Sequence, residues 1–185
     1  DLTSSASAFT ITNGGTPNDG AAISASTDMA FFRSNGLTTS ETGAIGTPDY
    51  FTFTFTPNVG TSYNLSSFTF DFGGSNGGDT GGAGGTPSLD YTAFGVLRSS
   101  AEATDYSTNL GTFSQLVPGP GTGNTYNLNG NTVTLSGPEF SNVTGPITFR
   151  FYLYSSDNTF DNQILPMDNV VLNGRLMSTV NSNWP

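Results

Sequence analysis

Three residue types with versatile chemistry are missing from this sequence, which contains no cysteine, no histidine and no lysine. Without cysteine there is no disulfide framework and no thiolate metal site. Without histidine, Ser–His and Cys–His catalysis and histidine-ligated zinc or iron are excluded, and the missing lysine excludes lysine-based covalent chemistry. Glycosidases work with a pair of carboxylates, but Glu41, Glu102 and Glu139 are the only glutamates and none lies in a sharp motif. We therefore expect a protein that is not an enzyme.

Positive charge is scarce as well. The chain has 4 basic and 14 acidic residues, for a net charge of −10, and its basic residues are Arg33, Arg98, Arg150 and Arg175. Such a chain offers no basic groove for phosphates, which argues against nucleic-acid binding, and anionic membrane surfaces repel it. No apolar run approaches the roughly 18 residues that a membrane-spanning helix needs. We expect neither a nucleic-acid partner nor a membrane span.

What the sequence does contain is aromatic residues in strict alternation. Among its 15 Phe and 7 Tyr, three alternating runs stand out, at 51–56, 67–72 and 146–154. In the last run Ile147, Phe149, Phe151 and Leu153 share one face. A period of two residues predicts a strand with one buried and one wet face.

Weaker strand patterns lie at 8–12, 29–32, 91–98, 125–128, 132–135 and 169–172. Asn-Gly pairs or similar turn signals separate many of them, at 13–14, 35–36, 58–60, 129–130 and 173–174. About nine short strands with such turns predict an all-β protein. Helix signals are nearly absent. We expect one domain over residues 1–185, an antiparallel β-sandwich of the jelly-roll type.

Four segments taken in order resemble the extracellular β-sandwich domains of bacterial proteins that carry a PEP-CTERM sorting signal. They are Leu65–Phe72, Phe94–Ser100, Gly145–Tyr154 and Met167–Gly174. The resemblance implies export, surface display and a jelly-roll-like sandwich, and it implies no particular activity. The chain departs from that pattern after Gly174, where no Pro-Glu-Pro signal and apolar tail follow. Because the sequence starts at Asp1 without a leader, we expect a secreted chain whose leader has been removed.

The segment Met167–Leu172 also resembles the last strand of jelly-roll carbohydrate-binding modules, where a nearby acidic residue often ligates a structural calcium ion. Calcium prefers carboxylate, amide and carbonyl oxygens, which the loops of this chain supply. Asp168 is the best candidate ligand, with Asp19 or Asp161 as partners. Asp79, in the glycine-rich segment 73–85, is a weaker independent candidate.

The outer face of the strand at 146–154 carries Arg150, Tyr152 and Tyr154. Aromatic rings on a sheet surface can stack on sugars while an arginine donates hydrogen bonds. The same residues can instead pack under another part of the chain or against a neighbouring subunit, because Tyr and Arg are enriched at protein contacts. Both interpretations remain open from the sequence.

Both terminal segments of the chain contain several large apolar residues. Phe9 and Ile11 alternate near the start, and Leu176, Val180 and Trp184 follow the last expected strand. Residues 1–12 and 175–185 could dock on their own domain or add a strand to a neighbour. We expect an extracellular structural protein that self-associates into a fibre, tube or surface layer. The alternative is a calcium-stabilised carbohydrate-binding module that contacts extracellular polysaccharide.

Overall fold

The structure is a computed structural model that describes residues 5–6, 10–12, 22–24, 29–34, 38–46, 50–75, 90–101, 106–118, 126–157 and 163–177. Up to residue 34 it describes the backbone pairing alone. The strands within these ranges are β1 (Ser5–Ala6), β2 (Thr10–Thr12), β3 (Ala22–Ser24), β4 (Met29–Ser34), β5 (Tyr50–Thr56), β6 (Ser62–Ser75), β7 (Tyr91–Ser99), β8 (Asn109–Val117), β9 (Tyr126–Thr134), β10 (Ile147–Ser155) and β11 (Gln163–Met177). A short helix, α1 (Glu41–Gly46), and a 3-10 turn, Pro138–Phe140, complete the described elements.

The strands form two antiparallel sheets packed face to face, so the predicted all-β sandwich is confirmed. The first sheet has the order β1-β5-β10-β7-β8, with β2 also paired to β5, and the second has the order β3-β4-β11-β6-β9. β1 and β2 pair with the same side of β5, with Ser5 opposite Thr56 and Thr12 opposite Tyr50. Together they are therefore the edge of the first sheet.

Edge-to-face aromatic contacts hold the two sheets together. Phe68 of β6 is fully buried, and its ring centroid lies 4.7 Å from that of Phe149 and 5.3 Å from that of Phe151 on β10. Phe113 of β8 makes the same kind of contact with Phe70, at 4.8 Å. Such geometry adds about 0.5–1.5 kcal/mol per pair to the burial of the rings themselves. The alternating phenylalanines are thus the core, as the period-two pattern predicts.

Turn chemistry is confirmed at 58–60 but wrong at two other places. Gly60 has a φ of +80°, and the amide of Thr61 donates to the carbonyl of Asn58 at 3.0 Å. Residues 129–130, in contrast, lie inside β9, and residues 173–174 lie inside β11 at a register shift. A shift of register lets β11 bulge without ending, so this strand continues to Met177 rather than stopping near Leu172.

Besides the short strands β1 and β3 and the 3-10 turn, two elements have no counterpart among the predicted ones. One is α1, whose Ser40 Oγ accepts the backbone N–H of Gly43 at 3.1 Å, as a helix N-cap does. The other is β8, which forms an edge of the first sheet. Both elements border the outer face of the first sheet, where the candidate site lies.

Candidate contact surface on the first sheet

The outer face of the first sheet gathers polar and aromatic side chains from β5, β10 and β7. The strand register sets Arg150 between Thr52 and Arg98. Two residues further along β10, Tyr152 lies between Tyr50 and Val96. Because side chains on one face recur every second residue, these neighbours all point away from the core. We refer to this group, with Tyr154, Phe94 and Tyr106, as the outer cluster.

Helix α1 covers part of the outer cluster. Ala44 is fully buried, and it forms a second apolar cluster with Tyr50, Val96 and Tyr152. Tyr152, which the alternation predicts on the wet face, retains only 3 % of its surface exposed. Its ring meets that of Tyr50 edge to face at 5.0 Å. Tyr152 therefore packs inside the chain, and it offers no flat surface to a sugar.

Arg150 lies between two tyrosine rings. Its guanidinium carbon is 3.6 Å from the ring centroid of Tyr106 and 4.4 Å from that of Tyr50, and its Nη1 donates to the Tyr152 hydroxyl at 3.2 Å. Desolvation lowers the pKa of Arg150, but the Tyr152 hydrogen bond and the surrounding tyrosines outweigh it and raise the pKa above its usual range. The arginine is therefore a charged cross-link between β10, β5 and the segment at 106.

Arg98 binds helix α1 and the segment at 106–107 to the first sheet. It is only 9 % exposed. Its Nη2 donates to Glu41 at 2.8 Å, and its Nη1 donates to the carbonyls of Tyr106 and Ser107 at 2.8 and 2.7 Å. Glu41 also accepts from the side-chain amide of Asn109 at 3.2 Å. This carboxylate therefore joins α1 to β7 and β8, a role that no motif in the sequence signals.

One aromatic pair of the outer cluster remains half-buried. The rings of Phe94 and Tyr154 are stacked, with centroids 5.0 Å apart and planes inclined by 14°. Burial, and next the nearby charge of Glu41, raise the pKa of the Tyr154 hydroxyl. Of the three residues that the sequence proposes for glycan or subunit contact, Tyr154 is thus best placed to meet a partner through a flat aromatic surface.

The structure brings Asp168 next to Asp71, a partner that sequence reasoning missed. The two residues are opposite each other in the pairing of β11 with β6. The Asn169 side-chain amide donates to Asp71 at 2.7 Å, and the Asn169 backbone amide donates to Asp168 at 2.7 Å. These carboxylates are oxygen ligands of the kind that calcium takes. Within the described part of the chain, no group of three or more acidic, histidine or cysteine residues could hold a metal ion.

Several proposed site residues fall outside the described ranges. These are Asp19, Asp161, Asp79, Phe9, Val180 and Trp184. Ile11 lies in β2, paired with Phe51. Leu176 lies in β11 opposite Tyr63 and is 43 % exposed. The described parts of both terminal segments are therefore strands of the sandwich.

Two hollows lie together at one end of the sandwich, with volumes of about 400 and 300 Å³. They share Asn142 and Thr144, and most of their polar lining comes from hydroxyl and amide groups. The lining also includes the acidic side chain of Glu139, and its carboxylate lies against Gly137.

No family model matches the chain, and no curated protein matches it. Among the described residues, no helix is both long and apolar enough to cross a membrane.

Proposed function

We propose that the chain is a non-enzymatic bacterial extracellular protein that assembles into a fibre, tube or surface layer by exchanging terminal strands. The observation that carries the proposal is the edge of the first sheet, where the N-terminal segment pairs in two short pieces. β1 has 2 residues and β2 has 3, and both lie along β5. An identical β5 edge in a neighbouring copy could accept the same segment with the same register.

The rest of the sandwich supports this proposal because the edge segment is separable from it. β5 keeps a second partner, β10, through pairs that run from Phe55 opposite Ile147 to Tyr50 opposite Tyr152. Phe51 and Phe55 are buried against the opposite sheet. Withdrawal of residues 5–12 would therefore open one side of β5 while its pairing with β10 stays in place.

The strand orders support the jelly-roll form of the sandwich. From β4 onward, the orders β4-β11-β6-β9 and β5-β10-β7-β8 interleave early and late strands of the chain. Eight strands distributed in this way between two sheets suit a doubly wound Greek key. Export to the cell surface rests on the resemblance to PEP-CTERM domains and on a polar composition with only 10 % charged residues.

Deletion of residues 1–12 tests the assembly. The full chain should form large particles in negative-stain micrographs, and the deleted chain should not. Adding a peptide of residues 1–12 to the deleted chain should restore its thermal stability, because the peptide refills the β5 edge. A full chain that stays monomeric at high concentration with calcium present would contradict the proposal.

A second candidate function, binding of extracellular polysaccharide, is favoured by the stacked Phe94–Tyr154 pair on the outer cluster. If sugars stack there, Tyr154→Ala should weaken binding on a polysaccharide array, whereas Leu116→Ala on neighbouring β8 should not. Absence of binding to every glycan by the unmodified chain would remove this candidate.

A further inference from the structure

Strand β8 ends the first sheet on the side away from β1 and β2. It pairs with β7 in regular register from Tyr91 opposite Val117 to Leu97 opposite Gly111. Among the described strands none pairs with its other side. An edge strand turns a row of backbone N–H and C=O groups outward, and these groups can pair with another strand.

The composition of β8 lacks the usual protection of an edge. Proteins block sheet edges with charged side chains, proline, bulges or very short strands. β8 is 9 residues long and contains no charged residue and no proline. Its one irregularity lies at the end, between Leu97 and Arg98 of β7. The stretch from Gly111 to Val117 is therefore a regular and uncharged edge.

The other described edges are less suited to pairing. β1, β2 and β3 have 2, 3 and 3 residues. β9 is 9 residues long, but it has Gly130 at its centre and asparagines on either side. Glycine and asparagine are both disfavoured in strands. β8 has its asparagine and its glycine at its start, Asn109 and Gly111, and then carries Thr112, Phe113, Leu116 and Val117, of which Leu116 is 55 % exposed.

We infer that β8 pairs antiparallel with β8 of a second copy of this chain, joining two first sheets into one continuous sheet. This inference rests on the proposed self-assembly and adds a contact that the terminal strands do not make. Two copies of an uncharged strand can pair without placing like charges opposite each other. This favours pairing through β8 in a chain whose net charge of −10 otherwise makes the copies repel each other. The exposed Leu116 side chains add apolar area beside the new ladder.

The β8 contact and strand exchange differ in their symmetry. Two identical strands that pair antiparallel are related by a two-fold axis, so the contact closes at a dimer. Exchange of terminal strands can instead pass from copy to copy without closing, as an open head-to-tail contact. The dimer would then be the unit that the terminal strands link into larger particles.

Cysteine cross-linking tests the pairing, because the chain contains no cysteine of its own. Ser114 is exposed and lies midway along the regular stretch, so Ser114→Cys places two thiols across the two-fold axis. Thr112→Cys and Leu116→Cys cover a two-fold axis that lies two residues to either side of Ser114. At least one of the three should give a disulfide-linked dimer under mild oxidation, and Thr132→Cys on exposed β9 should stay monomeric. Cross-linking that is absent from all three, or equal in Thr132→Cys, would overturn the inference.

A charge variant separates this contact from the proposed function. At a protein concentration below that at which particles form, Ser114→Lys should weaken dimerisation by about tenfold or more, shifting the species in sedimentation velocity towards the 19.2 kDa monomer. Thr132→Lys should leave the dimer intact. If Ser114→Lys leaves the dimer unchanged while the full chain still forms particles, the β8 contact is wrong and strand exchange stands. If deletion of residues 1–12 abolishes neither particles nor dimers but Ser114→Lys abolishes dimers, strand exchange is wrong and the β8 contact stands.

Discussion

At the scale of single residues, Arg150 illustrates how one cation can serve as structural cross-link rather than ligand site. The guanidinium lies between the rings of Tyr106 and Tyr50 and donates to Tyr152. Tyr106 itself has a φ of 58°, an uncommon backbone conformation for a non-glycine residue. The surrounding contacts must therefore stabilise this conformation, and the stacking of Arg150 on the Tyr106 ring is one of them.

Replacing Arg150 with methionine keeps the apolar stem and removes the cation. We expect a loss of about 1–2 kcal/mol from the missing cation–π contacts, seen as a fall of about 3–6 °C in the thermal midpoint. Arg175→Met is the matched control, because Arg175 is exposed at the end of β11. Equal thermal midpoints for both variants in a calorimetric scan would show that the contacts of Arg150 with the two tyrosine rings contribute little to stability.

The burial of Tyr91 should make the folded protein less stable at alkaline pH. Burial raises the pKa of its hydroxyl far above the ordinary value. In the unfolded chain tyrosine ionises near pH 10, so its stabilising contribution is complete below that pH. Above it the unfolded state loses protons first, and stability falls by up to about 1.4 kcal/mol per pH unit until the folded-state pKa is reached.

Thermal midpoints between pH 8 and pH 11 check this expectation. The thermal midpoint should fall less between these pH values in Tyr91→Phe, which has no hydroxyl to ionise. Tyr154→Phe should reduce the fall less, since Tyr154 is only half-buried. A profile that is the same in Tyr91→Phe as in the unmodified chain would contradict the assignment to Tyr91.

At the scale of elements, β7 and β8 depend on a glycine for their packing. A Cβ at Gly95 would collide with the ring of Phe113, which lies against Gly95 and contacts Phe70 and Phe72. Gly95→Ala should therefore destabilise the protein by about 1–3 kcal/mol, through overpacking. Gly46→Ala is the control, because no atom of the described residues lies within 4 Å of a Cβ there, and it should be neutral or slightly stabilising. Urea unfolding of the two variants gives the comparison.

The pairing of β6 with β11 is where the predicted calcium site can be tested. Asp71 and Asp168 oppose each other, and like charges in that position destabilise a sheet. If calcium binds Asp168, millimolar calcium should raise the thermal midpoint and a chelator should reverse the rise. Asp168→Asn should abolish the response, and Asp90→Asn, an exposed residue before β7, should retain it. A midpoint that the chelator leaves unchanged would contradict the calcium site predicted at Asp168.

At the scale of the whole molecule, net charge opposes assembly. Copies that carry a net charge of −10 repel each other, and added salt shortens the range of that repulsion from about 30 Å at 0.01 M to about 10 Å at 0.1 M. Raising the salt over this range should therefore lower the concentration at which particles appear in light scattering. Acidification towards the isoelectric point near 4.1 should act in the same direction. Salt that dissolves the particles instead would indicate contacts between opposite charges.

The sequence by itself determined the layers of this protein. Phe51, Phe68, Phe149 and Phe151 alternate with polar residues, and only an extended strand places such residues on one face. The fold class and the main core residues therefore followed from local order alone. β8 was missed because glycine and glutamine occupy two inward positions, Gly111 and Gln115, so its apolar residues do not alternate.

Only the tertiary structure decided which outward-facing residues stay exposed. Period-two alternation assigns Tyr152 to a face, but the helix that covers this face begins at Glu41, far away in the sequence. Asp168 and Asp71 likewise become neighbours only through the register of β11 on β6. Local patterns specify the side of a strand, whereas coverage and charge pairing depend on chain segments that meet only after the two sheets have closed on each other.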